Sequence, residues 1–274
     1  MSDFVISNEA ALRFGVFVSI LLLMMAAEAA FPRRGRVMAR GHRWRSNLLL
    51  VIVDGLFVRL IFPIAAVGAA ALAAQNNWGL FSFVDWPIWL EALLVIIILD
   101  MLIYWQHVAF HHIPALWALH KVHHADRDID VTTGARFHPA EIVVSMVYKM
   151  ALVVILGAPV IAVIIFELVL NGCAMFNHSN LKLPARLDRI LRRVIVTPDM
   201  HRVHHSARVS ETNSNYGFSL SIWDRLFGSY IAQPEQGHEG MTIGLEEYQT
   251  PGPASLLWSL CLPLRPIKRL ERWF

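Results

Sequence analysis

The sequence predicts an all-α integral membrane protein: about four transmembrane helices, the last two a short hairpin, with a cytoplasmic helical cap. Three observations lead there. Of 274 residues, 56% are hydrophobic and only 16% are charged, whereas soluble domains average about 25% charged. The apolar residues gather into runs near the 20 or so that a helix needs to cross a bilayer core. The 13 histidines concentrate between and after those runs, at helical spacing.

Residues 11–31 are expected to form the first span. The run from Val16 to Phe31 carries one charge, Glu28. It does not read as a cleavable signal, because no basic stretch precedes it and arginines follow it. Those are Arg33, Arg34, Arg36, Arg40, Arg43 and Arg45. By the positive-inside rule this basic loop, 32–47, faces the cytoplasm. Residues 48–74 form the second span, with Asp54 and Arg59 set to pair or snorkel. Residues 75–86, with Trp78 and Trp86, read as an external loop with aromatic anchors. Residues 88–106 return through the membrane and put His107 on the cytoplasmic side. The stretch from Ile142 to Phe176 is too long for one crossing, and Gly157-Ala158-Pro159 breaks it. A hairpin there brings the chain back, so that residues 107–140 and 178–250 form one cap. Pro184, Pro198, Asn213, Asn215, Gly217 and Gly228 mark turns in its second part. Lys182, Arg186, Arg189, Arg192 and Arg193 fit a basic helix on the membrane surface, or a solvated face. Leu256 to Phe274 fits an interfacial helix.

The net charge of +3 calls for no nucleic acid, since the basic residues lie beside apolar segments, where anionic headgroups suit them. Cys173 and Cys261 form no C-x-x-C pair, so neither a disulfide framework nor a thiolate metal site is indicated.

The chemistry lies in the histidines. His107 and His111 are four apart. So are His120 and His124, with His123 beside them, and His201 and His205, with His204 beside them. Such a pair shares one helix face and can grip one metal ion. His178 stands alone between the halves. A metal takes about four to six ligands, so these nine histidines suggest two ions. His42 and His238 have no partner at helical spacing and read as ordinary polar residues. Neutral imidazole suits iron, zinc, copper and nickel. A structural zinc needs only four ligands. Soluble di-iron bundles use Glu and Glu-x-x-His, a pattern missing from these clusters. A histidine-rich dinuclear iron site is therefore expected, with zinc able to substitute. His138, outside any pair, is a tenth ligand or a brace behind the others. Metal-bound histidines donate their other N–H to a carboxylate or carbonyl. Asp100, Asp199, Asp224 and Glu141 could serve so, or could be plain surface and capping carboxylates. Tyr104 and Trp105 read as interfacial aromatics.

A family resemblance rests on several runs. They are Asp100-x-x-x-Tyr104-Trp105-x-His107-x-x-x-His111, His120-x-x-His123-His124, and Arg136-Phe137-His138-Pro139-x-Glu141. His178-Ser179-Asn180, Thr197-Pro198-x-x-His201-x-x-His204-His205, Asn215-Tyr216-Gly217 and Trp223-Asp224-Arg225-Leu226-Phe227-Gly228 complete the set. Over residues 93–230 the chain resembles the fatty acid hydroxylase and sterol desaturase superfamily. That resemblance implies a membrane-bound, non-haem di-iron oxygenase acting on lipids. It divides the chain into N-terminal membrane helices (1–92), a fatty acid hydroxylase-like catalytic domain (93–230), and a C-terminal cap with an interfacial helix (231–274). Val108 follows His107 where many members carry arginine, which bears on the surroundings more than on metal binding. The expected reaction hydroxylates or desaturates a lipid C–H bond, using dioxygen and external electrons, at the metal ligands themselves. No haem-attachment, flavin or iron–sulfur motif is present. A separate cytoplasmic electron donor is therefore expected, with the basic cap as its docking face. Two rivals are a histidine-rich metal-ion transporter and a zinc-dependent lipid hydrolase. The first needs histidines along a transmembrane line; the second needs an open metal position and a base rather than so many ligands. Which lipid is oxidised is not written in the sequence.

Overall fold

The computed structural model describes residues 8–266; among these it is helical, with isolated bridges and no strand. The long helices are α1 (Glu9–Ala30), α2 (Arg40–Ile61), α3 (Ala66–Gln75), α4 (Ile88–His112), α6 (Pro139–Leu156) and α7 (Val160–Asn177). Between α4 and α6 lies α5 (Pro114–His124), and after α7 come α8 (Ala185–Leu191) and α9 (Pro198–His204). A short α10 (Leu256–Cys261) closes the cap. Among the described residues, five stretches are long and apolar enough to cross a membrane, with α2 and α3 counted together. Both arms of the hairpin are among them.

Two boundaries differ from expectation. The second span starts at Arg40, so part of the basic loop is helical. Pro63 then breaks it, and α3 begins three residues later at Ala66. The hairpin turn falls where Gly157-Ala158-Pro159 puts it. Gly157 ends α6 at φ +70°, a left-handed conformation that suits glycine. A Cβ at Gly79 would lie 2.0 Å from the Gly157 nitrogen, so this contact excludes any side chain. The small face of α3 (Ala66, Ala69, Ala70) packs with Val95 and Leu99 of α4, Val153 of α6, and Val163 and Phe166 of α7. Small residues let helices approach closely in an apolar bundle.

The arginines after α1 do not all face lipid. Arg43 is fully buried and pairs with Asp126 at 2.7 Å and Asp130 at 2.6 Å. Arg136, also fully buried, donates to Asn47 Oδ1 (2.6 Å), Val122 O (2.9 Å) and Ser259 Oγ (2.7 Å). Glu28 accepts from the backbone nitrogens of Val131 and Asn180, both at 2.7 Å. Charges buried this deeply persist only when paired and hydrogen-bonded. Asp54 is buried while Arg59 is exposed, so these two do not pair. Arg192 is buried against Asp188 at 2.5 Å rather than lying on an outer basic face. Of the expected C-terminal interfacial helix, α10 and one 3-10 turn (Leu262–Leu264) are helical; 267–274 lie outside the described residues.

Candidate metal centre

Four elements converge at one end of the bundle. The last turns of α4 carry His107 and His111. Pro114 opens α5, and proline suits a first helical position because its missing N–H is not needed there. The end of α5 carries His120, His123 and His124. His178 follows α7 directly. Pro198 opens α9, whose N-terminus is capped by the Thr197 side chain. It carries His201 and His204, with His205 next.

The nine histidines fall into two groups, in each of which ring nitrogens lie within 4.8 Å of one another. One holds His107, His111, His120, His124 and His204; the other holds His123, His178, His201 and His205. None is more than 3% exposed. Each H-x-x-H-H triplet gives its four-apart pair to one group and its third histidine to the other.

The outer nitrogens show what the inner ones must be. The Nδ1 atoms of His107, His204, His123 and His178 lie 2.7, 2.7, 3.1 and 2.6 Å from the carbonyl oxygens of Tyr216, Ser214, Arg136 and Ala174. A carbonyl only accepts, so each Nδ1 carries the proton. In a neutral ring Nε2 is then a bare lone pair. Yet His107 Nε2 is 3.1 Å from those of His120 and His204, and His178 Nε2 is 3.0 Å from that of His123 and 2.9 Å from that of His201. Protonation does not relieve the clash of lone pairs. Burial holds His120 down to about 3 and His178 to about 4. Burial, then the neighbouring imidazoles, holds His123 and His205 far below the usual range. His111 Nε2, His124 Nε2 and both nitrogens of His205 are buried without a hydrogen-bond partner. Converging lone pairs without protons fit metal cations, and imidazole without thiolate suits iron, zinc, copper or nickel.

The carboxylates divide differently from expectation. Glu141 reaches a histidine: its Oε1 is 2.6 Å from His120 Nδ1. Asp100 instead accepts from Trp223 Nε1 (2.8 Å) and Leu220 N (3.1 Å). Asp224 accepts from Gly217 N (3.0 Å) and Ser229 Oγ (2.7 Å). Both brace the loop whose Tyr216 carbonyl meets His107. Asp199 pairs with Arg202 and, at 3.1 Å, with Arg33. His138 caps α6 by accepting from Ala140 N and meets Leu260 O at 3.2 Å; it joins neither group. Tyr104 is buried and bonds Ser229 Oγ at 2.9 Å, whereas Trp105 is exposed. His42 is exposed. His238 is not a surface residue: it is buried beside Asp199, 3.5 Å away, and burial lowers it to about 4. The backbone acceptors and Asn213, 3.2 Å from His111, escape sequence reading; only the N-x-N-Y-G run hints at them.

A cavity of about 160 Å³ reaches His107 and His120 from between α4, α6 and α7. Ile103, Phe110, Phe137 and Phe218 form its apolar wall.

The sequence model of the fatty acid hydroxylase family matches residues 92–229. The ornithine lipid hydroxylase OlsE of Rhizobium tropici is 31% identical over 178 residues, 63% of this chain and 51% of that protein. An alkylglycerol monooxygenase of Xenopus tropicalis is 29% identical over 205 residues, 71% and 43% of the two chains. The lathosterol oxidase of Mus musculus is 29% identical over 132 residues, 48% and 42%. The chain spans about half the length of these relatives or less. No solved structure matches significantly. With just over half of its length covered, and all nine clustered histidines inside that stretch, the chain belongs to the fatty acid hydroxylase family.

Proposed function

We propose that the protein is a membrane-bound di-iron oxygenase that hydroxylates a C–H bond of a lipid, or removes two hydrogens from it. The observation that carries this reading is the pair of buried histidine groups, with bare nitrogens turned inward, beside a cavity with an apolar wall. In hydroxylation one oxygen atom enters the C–H bond; the other leaves as water, taking up two electrons and two protons. His107, His111, His120, His124 and His204 would hold one ion, and His123, His178, His201 and His205 the other. When bound, iron supplies the activation of dioxygen. The chain's residues do the rest. The carbonyls of Tyr216, Ser214, Arg136 and Ala174 fix the imidazole tautomers. Glu141 holds the proton at His120 Nδ1. Ile103, Phe110 and Phe137 seat an alkyl chain and exclude water.

The names of the relatives, a lipid hydroxylase, a monooxygenase and a sterol oxidase, support an oxygenase. Residues 93–230 would then be the catalytic domain. The histidines meet at one end of the helices rather than along them, which argues against a transport path. The arginine-rich stretch after α1 lies on the same end, which supports a cytoplasmic site. A separate electron donor would dock on the basic face that includes Arg33, Lys182 and Arg189. The test is oxygen uptake by iron-loaded protein with a reductant and membrane lipid, with mass spectrometry of the lipid. A gain of one oxygen or a loss of two hydrogens is expected. No uptake by protein carrying two irons would refute the proposal.

A further inference from the structure

The cavity beside the histidines has a second, polar wall, of which the oxygenase reading uses only Glu141. Glu141, Ser145 and Lys149 stand four residues apart on α6 and all line it, facing Gln106 of α4 and Asn171 of α7. Lys149 donates to Glu167 Oε1 at 2.7 Å. Glu167, 1% exposed, also pairs with Arg13 at 3.0 Å, and Arg13 with Glu9 at 3.3 Å. Ionisable groups at this depth are costly, and an apolar pair would hold α6 to α7 at least as well. The hairpin is already packed through Val153, Val163 and Phe166. The polar wall therefore points to a ligand.

The donor count says which kind. Of the three N–H groups on Lys149, Glu167 takes one. The Ser145 oxygen accepts from Gln106 Nε2 at 2.9 Å, which leaves its O–H to donate. Both groups offer hydrogens, so the ligand must accept. The charges of Lys149, Glu167, Arg13 and Glu9 balance, so no anion is called for. We infer that this wall is a subsite for a neutral oxygen function of the lipid substrate: an ether, ester, amide carbonyl or hydroxyl. Ser145 and Lys149 are its donors. They lie four and eight residues from Glu141, about 6 and 12 Å along the helix. The carbon presented to His107 and His120 is thus close to that oxygen, not far along an unsubstituted tail. This deepens the proposed function and rests on it.

The test separates binding from turnover. Zinc-loaded, full-length protein in detergent is titrated with hexadecyl methyl ether and with n-octadecane, which differ by an oxygen in place of a methylene. Binding is followed by native mass spectrometry. The ether should bind at least about fivefold tighter, the worth of one hydrogen bond. Ser145→Ala should reduce that preference about fivefold, and Ser145→Thr, which keeps the donor, should retain it. A Lys149→Met/Glu167→Leu double variant, which keeps the charges balanced, should also reduce it. Equal binding of the two probes by the native protein overturns the subsite, as does a preference unchanged in both the alanine and the double variant. Oxygen uptake by iron-loaded protein without an ether preference would sink the subsite alone. An ether preference without uptake would sink the oxygenase reading alone.

Discussion

Replacing Glu141 by alanine should weaken one metal site and spare the other. The Glu141 carboxylate is 2.6 Å from His120 Nδ1, and His120 belongs to the five-membered group. That contact fixes the tautomer, so that Nε2 keeps its lone pair toward His107, 3.1 Å away. Without it, a buried N–H loses its acceptor, a cost of about 1–3 kcal/mol. Loss of such a partner typically lowers metal affinity about 10–100-fold, or roughly 1.4–2.7 kcal/mol. Glutamine keeps an acceptor, so Glu141→Gln should cost about tenfold or less. The other group is insulated, because His123 and His178 rest on the carbonyls of Arg136 and Ala174. Cobalt titration of metal-free protein against a competing chelator resolves the two sites by their visible absorption. One equivalent should weaken by the stated factor, and the other should stay within about twofold. If both equivalents weakened together, or neither changed, the assignment of Glu141 to one group would be wrong.

Arg43→Met should destabilise the protein by about 3–5 kcal/mol, because Asp126 and Asp130 would stay buried without their cation. Adding Asp126→Asn and Asp130→Asn should restore part of the loss in thermal melts; no recovery would contradict the pairing. Gly134→Ala would place a Cβ 2.6 Å from the Ala174 carbonyl and 3.2 Å from His178 Nδ1. It should weaken the four-histidine site about tenfold or more, whereas an unchanged cobalt titration would show that the backbone yields without cost. For metal-free protein, burial sets His120 at about 3 and His178 at about 4, below the unfolded value of about 6.5. Between those limits the unfolded chain binds protons that the folded chain refuses. Stability should therefore fall as pH drops from about 6.5 toward 4, by up to about 1.4 kcal/mol per unit for each histidine. A flat melting temperature from pH 7 to pH 5 would refute this.

What could be read beforehand was local. A four-residue step puts two imidazoles on one helix face, and Gly157-Ala158-Pro159 cannot continue a helix. The exchange of His123 and His204 between groups depends on how α5 and α9 cross, which no spacing encodes. The same holds for the carboxylates. Asp100 and Glu141 look alike in the chain, but only Glu141 packs against an imidazole. Arg43 was illegible because a lipid-facing arginine and a buried one share the same basic run. The run Asp126-Arg127-Asp128-Ile129-Asp130, dense in carboxylates within an apolar chain, was the available sign of its partners. Pro63 was hidden by apolar neighbours on both sides. His238 has no partner in sequence, yet Asp199 lies beside it in space.

The buried arginine has a consequence for chimeras. Residues 92–229 look like a portable part, since the family shares them. Yet Glu28, Arg43 and Asn47 all lie upstream, and each holds the segment from Asp126 to Arg136. Arg136 in turn leans on Ser259, downstream of that stretch. Grafting the shared stretch into a relative would strand Asp126, Asp130 and Arg136 unless the recipient supplied matching partners from its own flanking helices. Interchange between members of the family should therefore succeed with whole helix bundles and fail with the histidine-bearing stretch alone.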